Sequence, residues 1–194
     1  LVQEYIREFH AVSVRDVNSH NIVEKLIGEK PTIVPDPTFL VDHLEWAIEP
    51  RIQEDYILVY AYVLKPEHIE VMKNYSKERN IKLISVGFHY DWCDENHLGI
   101  DPFEWIGYFK NAKYVFTSMF HGTIFAILMR RDFTVFMDPY RLQKFSYLLD
   151  ALDIHDRIYK GNGNFNSIDY AKIENKINDY SIIGHQFIES ALAN

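Results

Sequence analysis

Apolar residues fall along this chain in short blocks with two different spacings. Tyr56-Ile-Leu-Val-Tyr-Ala-Tyr-Val63 is a continuous apolar run, and Ile81-Lys-Leu-Ile-Ser-Val86 is a second. Runs of this length read as strands buried on both faces. Tyr114-Val-Phe-Thr117 and Phe133-Thr-Val-Phe136 predict two more. Helical spacing fills the intervals. Pro66 suits the first turn of a helix reaching about Arg79, and Pro102 opens another with Phe103, Ile106 and Phe109 on its inner face. The third strand passes almost at once into a helix carrying Ile124, Phe125, Ile127 and Leu128, with Ser118 as its expected N-cap. Beyond the fourth strand the pattern predicts a helix from about Arg141 to Leu152, a loop at Asn162-Gly-Asn-Phe-Asn166, and C-terminal helices.

The first part of the chain is less regular. Leu1 to Phe9 reads as the end of an amphipathic helix, so the sequence is expected to begin inside an element, as a fragment would, and not with a signal peptide. Ala11-Val-Ser-Val-Arg15 and Thr32-Ile-Val34 predict short strands. Between them, Ser19 is expected to cap a helix with Ile22, Val23, Leu26 and Ile27, closed by Gly28. A polar stretch from Val41 to Asp55 marks the candidate boundary. Strand and helix alternate throughout, which predicts an α/β fold, a doubly wound parallel sheet. Right-handed crossovers then collect the ends after Val63, Val86, Thr117 and Phe136 on one edge, where such sheets bind ligands.

Composition narrows the function. The 194 residues are 47% hydrophobic and 15% aromatic, enough for a filled core and unlike a disordered chain. A net charge of −8 without a Lys/Arg cluster argues against nucleic acid as a partner. Cys93 is the only cysteine, so neither a disulfide framework nor a cysteine-based zinc site is expected, and a reducing, cytoplasmic setting fits. No apolar run reaches the roughly 18 residues of a membrane span.

Candidate chemistry gathers at the presumed ligand edge. His121 stands where a strand becomes a helix, and an imidazole can exchange protons near neutral pH. Ser118 and Gly122 flank it, and a helix N-terminus favours anions. The alternative is a packed histidine with both ring nitrogens satisfied. Arg15 ends a strand beside Asp16. It offers a planar fork for a carboxylate or phosphate, or else a structural ion pair with that neighbour. Asp36, between two prolines, is either a fixed carboxylate or a turn cap. His89, Asp91, Cys93 and His97 share one loop, but their spacing matches no closed zinc pattern and no metal is expected. Tyr90 and Trp92 in that loop are placed to stack on a sugar or to cover the sheet edge. Arg130 and Arg131 complement a helix C-terminus. P-loop, G-x-G-x-x-G and G-x-S-x-G signatures are all missing from the sequence.

Several pieces occur in a suggestive order: Phe9-x-Ala-Val-Ser-Val-Arg-Asp16, Asp36-Pro-Thr38, Tyr56-Ile-Leu-Val-Tyr60, Asp101-Pro-Phe-Glu-Trp-Ile106 and Ala112-Lys-Tyr-Val-Phe-Thr-Ser-Met-Phe-His-Gly-Thr-Ile-Phe-Ala126. Together, from about residue 5 to residue 140, they resemble the polysaccharide pyruvyl transferase family. Its members are similar to glycosyltransferases of the B type (GT-B), with two Rossmann-like halves facing a cleft. Read this way, residues 1–45 are the tail of a truncated N-terminal half. Residues 46–194 are a C-terminal Rossmann-like, donor-binding domain whose last helices pack back across.

The resemblance implies transfer of pyruvyl from phosphoenolpyruvate to two hydroxyls of a sugar, as a ketal, during surface polysaccharide biosynthesis. Phosphoenolpyruvate is then the donor substrate, no cofactor is needed, and a sugar or lipid-linked glycan is the acceptor. The protein would work in the cytoplasm or against the inner face of the membrane. On the matched positions His121, Arg15 and Asp36 become the expected catalytic group, with Ser118, Gly122, Thr123 and His89 contacting substrate. Some relatives carry an Arg two residues before this histidine, where the chain has Met119, which removes one anion contact. A nucleotide-sugar-dependent glycosyltransferase of the same architecture and a non-catalytic sugar- or anion-binding module are the alternatives.

Overall fold

The computed structural model describes residues 1–137, 142–163 and 165–193. Two compact units divide the chain. One comprises Leu1–Val41, the described part of residues 140–155, and residues 171–193. The other comprises Asp42 to Met137 and residues 156–170 without Asn164. The division thus falls after Val41, and the last helix groups with the first 41 residues.

In the first unit, α1 (Val2–Glu8) precedes β1 (Ser13–Val14), α2 (Val17–Ile27) and β2 (Thr32–Ile33). The two strands pair in parallel, Ser13 opposite Thr32 and Val14 opposite Ile33. The cap of α2 is Asp16 and not Ser19: its carboxylate accepts from the Ser19 amide at 2.8 Å and the Ser19 hydroxyl at 3.0 Å. Asp16 stands three residues ahead, in the position from which a side chain reaches the third amide of the helix. Gly28 closes α2 in the left-handed conformation expected of it, at φ 79°. The C-terminal part is one helix, α7 (Tyr170–Leu192), where the pattern predicted several. It packs on the turn after β2. The Tyr180 ring meets Phe39 edge-on at 5.3 Å, the Ser181 hydroxyl donates to the Phe39 carbonyl, and Gly184 lets Leu40 approach. Among the described residues no helix is long and apolar enough to cross a membrane.

The second unit is the predicted α/β layer. Its strands are β3 (Tyr56–Tyr60), β4 (Lys82–Val86), β5 (Glu95–His97), β6 (Tyr114–Thr117) and β7 (Phe133–Val135). They form one all-parallel sheet in the order β5-β4-β3-β6-β7. The helices are α3 (Pro66–Arg79), α4 (Pro102–Asn111) and α5 (Phe120–Leu128). This is a Rossmann-like, doubly wound order: the chain starts in the middle, winds outward to β5, then returns to build β6 and β7 on the other side. Ile57, Leu58, Val59, Val115 and Phe116 are fully buried, as strands covered on both faces must be.

Three local expectations need correction. The first strand ends at Tyr60 and not at Val63; the Ser118 side chain, just beyond β6, holds both backbone groups of Tyr62 away from the ladder. Phe103 is 45% exposed, and Tyr108 takes the inward place beside Ile106 and Phe109. The polar loop after β4 contains an edge strand, β5, whose neighbour Asp94 accepts from the Leu83 amide through its side chain and donates to the Leu83 carbonyl. The helix expected from Arg141 is α6 (Leu142–Ala151) in the first unit; Arg141 itself and Asn164 of the expected loop lie outside the described residues.

Candidate functional site

The winding reverses between β3 and β6, so their carboxyl ends form the switch point of the sheet, with Tyr60 opposite Thr117. In open α/β sheets the crevice outside these ends is the place for a ligand. Each hydroxyl here holds backbone. Thr117 Oγ1 donates to the Tyr60 carbonyl at 2.6 Å and accepts from the Met119 amide at 3.0 Å. Ser118 Oγ donates to the Tyr62 carbonyl and accepts from the Tyr62 amide, both at 2.7 Å. Ser118 therefore does not cap α5. The cap position belongs to Met119, whose carbonyl accepts the first helical bond from the Thr123 amide at 3.0 Å. Thr123 is fully buried, and its hydroxyl donates back to the same carbonyl.

Gly122 is buried at the third position of α5. A Cβ there would press on the Thr117 hydroxyl and come within 2.8 Å of the Tyr60 ring. The close approach that this glycine permits is made by the protein's own β3 and β6. His121, one residue earlier, faces outward and is exposed. Beside it lies a hollow of about 460 Å³ lined by Tyr60, Gly87, Ile100, Trp105 and Phe125 among others. Tyr60 and Phe125 each meet Trp105 edge-on, at 5.1 and 4.8 Å. Burial raises the Tyr60 phenol above its ordinary pKa, so it stays neutral. The site thus joins an exposed imidazole, the positive end of a helix and an aromatic wall. Sequence reasoning missed Tyr60, Trp105 and Phe125, although Tyr60 could have been found as the last residue of a buried strand at the ligand edge.

The other candidates are distributed differently. Arg15 and Asp36 come together at the carboxyl ends of β1 and β2 in the first unit, with Nη1 2.6 Å from Oδ2. Asp36 is buried and its other oxygen accepts from the Thr38 amide at 3.2 Å and hydroxyl at 2.9 Å, while Arg15 remains 40% exposed. Arg15's ion pair is thus made with Asp36, the neighbouring Asp16 being the helix cap. His89 lies in the loop after β4, exposed, its Nε2 3.2 Å from Asp91. The remaining donors of that loop diverge. Burial pushes the Cys93 thiol up to about 12, and His97 bridges Glu95 at 3.1 Å and the Tyr108 hydroxyl at 2.8 Å. Among the described residues no group of three His, Cys, Asp or Glu is placed to hold a metal ion.

No curated protein matches the chain. A family model for polysaccharide pyruvyl transferases matches residues 1–137, a span that takes in every strand from β1 to β7, the Arg15–Asp36 pair and the His121 turn. Because that match runs through most of the 194 residues and through both strand edges that carry candidate chemistry, the chain belongs to the polysaccharide pyruvyl transferase family.

Proposed function

We propose that this protein transfers the pyruvyl group of phosphoenolpyruvate to two hydroxyls of a sugar, forming a cyclic ketal during assembly of a surface polysaccharide, in the cytoplasm where the donor is made. The observation that supports this most is the placement of His121: exposed, on the first turn of α5, at the switch point, beside an apolar hollow. Anionic groups of the donor are favoured at the positive end of α5. The enol methylene then lies against the aromatic wall, within reach of the imidazole.

In the reaction C3 of the enol gains a proton from His121, and C2 becomes an oxocarbenium ion. The first sugar hydroxyl bonds to C2 and gives up its proton to the now neutral imidazole. Phosphate leaves with the electron pair of the C2–O bond, and the second hydroxyl closes the ring as it loses its proton. One hydroxyl proton thus restores the imidazolium, and the other departs with phosphate. Thr117, Ser118, Gly122 and Thr123 keep the turn in position. Within the first unit, Arg15, fixed by Asp36, offers a planar fork suited to a carboxylate or phosphate.

Incubation of the full chain with phosphoenolpyruvate and a panel of saccharides tests this reading. Phosphate release together with a new ketal methyl singlet in the proton NMR spectrum is expected. Stable phosphoenolpyruvate with every acceptor, alongside consumption of a nucleotide sugar, would replace it with glycosyl transfer.

A further inference from the structure

Half of the wall of the hollow beside His121 comes from two loops with little side chain of their own. Gly87 lies just after β4, and Gly99, Ile100 and Pro102 lead from β5 into α4. The two glycines hold left-handed conformations, at φ 78° and 65°. Among the described residues neither Gly99 nor Ile100 makes a hydrogen bond, and the preceding Leu98 is 55% exposed. Such a loop takes its position from its two ends. Asp101 fixes one as the cap of α4, its carboxylate accepting from the Phe103 amide at 2.8 Å. His97, the last residue of β5, fixes the other.

Three bonds converge on His97. Its carbonyl accepts from the Gly87 amide at 2.9 Å, which ties the two loops together. Its ring stands between Glu95 at Nε2, 3.1 Å away, and the Tyr108 hydroxyl of α4 at Nδ1, 2.8 Å away. The partners decide which nitrogen carries the proton. The hydrogen bond from His97, with Lys82 close by, holds the Glu95 carboxyl below its ordinary pKa, and an ionised carboxylate can only accept. Nε2 is therefore the donor, and Nδ1 accepts from the Tyr108 hydroxyl. Burial pushes that phenol up to about 12, so it keeps the proton that it donates. Apolar packing alone would hold β5 against α4 without fixing an orientation. Two directed bonds orient the ring, and with it the residue whose carbonyl holds Gly87.

We propose that His97 is a positioning residue of this site: clamped between Glu95 and Tyr108, it sets the loop wall of the hollow and so the affinity of the hollow for its ligand. It does not itself line the hollow. That the ligand is phosphoenolpyruvate rests on the pyruvyl transfer reading; the clamp does not.

Phosphorus NMR titration of the full chain with phosphoenolpyruvate tests this in His97→Ala, His97→Gln and Tyr108→Phe. The dissociation constant should rise roughly tenfold in His97→Ala and about threefold in Tyr108→Phe, which loses one neutral hydrogen bond. His97→Gln keeps a donor for Glu95 and should fall between wild type and His97→Ala. A long-range proton–nitrogen spectrum of the wild type should show the His97 proton on Nε2. Its Gly87 amide should exchange more slowly than that of Tyr108→Phe. Equal affinity in wild type and in both clamp variants overturns the proposal, even where the unfolding midpoint falls, since His97 then only packs. A proton on Nδ1, or a Gly87 amide equally protected in Tyr108→Phe, overturns it too. Should His97→Ala fail to fold, Tyr108→Phe retains the ring and carries the test. If the wild type does not bind phosphoenolpyruvate, the donor reading falls, and the clamp is decided by the Gly87 amide and the His97 tautomer.

Discussion

Two helices start at the carboxyl edge of neighbouring strands, α3 after β3 and α5 after β6, and each carries a histidine in its first turn. The two histidines have opposite surroundings. His68 is buried, its ring stacked on Phe136 at 4.5 Å and its Nδ1 accepting from the Lys65 amide at 3.3 Å. His121 is exposed beside the hollow. The difference is one of register. Counting from the caps Lys65 and Met119, His68 and Gly122 both hold the third position, which faces the sheet and is buried in each helix. Glu67 and His121 both hold the second, which faces out. One place along a helix turn separates a histidine that holds a scaffold together from one that can meet a ligand.

The largest test of this contrast is chemical. His121→Ala should lower phosphate release from phosphoenolpyruvate by about 10²–10⁴-fold, the usual range for loss of a positioned acid, with the unfolding midpoint hardly moved. A variant that turns over like wild type would reduce His121 to the surface residue that its exposure also permits. Next in size is Gly122→Ala. Its new Cβ meets Tyr60 and Thr117 on the sheet side, so an overpacking loss on the order of 1–3 kcal/mol is expected in urea unfolding. Because it tilts the first turn, it should also reduce turnover. Unchanged stability would mean that the inward third position tolerates a side chain in α5 as it does in α3, and the register argument would lose its physical basis.

That register was the least legible part of the sequence. The apolar runs place β3, β4, β6 and β7 correctly, because strands buried on both faces leave a continuous signal. They do not show β5, whose Glu95-Asn-His97 pairs at an edge and carries no apolar pattern. Placing the cap of α5 at Ser118 puts His121 one position too far into the helix, in the buried register. The hydroxyl that makes Ser118 a good cap is instead engaged with Tyr62, which lies 56 residues earlier. A distant partner also hides the ion pair of Arg15, where Asp36 replaces the adjacent Asp16, whereas the cap of α2 is a local misplacement by three residues, from Asp16 to Ser19. Short-range capping rules are read from neighbours; tertiary partners are not. The order of motifs from Arg15 to His121 nevertheless carries the family, because that order survives errors of one residue.

The smallest expected effect concerns His68, and it sharpens the contrast from the scaffold side. Burial lowers its pKa below the ordinary 6.5, outweighing Glu67, which favours the charged ring; Lys65 adds to the lowering. The unfolded chain therefore takes up a proton on this imidazole before the folded one does. Stability from His68 is complete above about pH 6.5 and is lost as the pH falls below it, until the folded state is protonated as well. His68→Gln keeps an acceptor for the Lys65 amide and removes the titration. Urea unfolding of both proteins from neutral to mildly acidic pH should give a stability difference that narrows on the acid side. A difference independent of pH would place the charged ring at no disadvantage inside the fold, and the buried third position would then cost an imidazolium nothing.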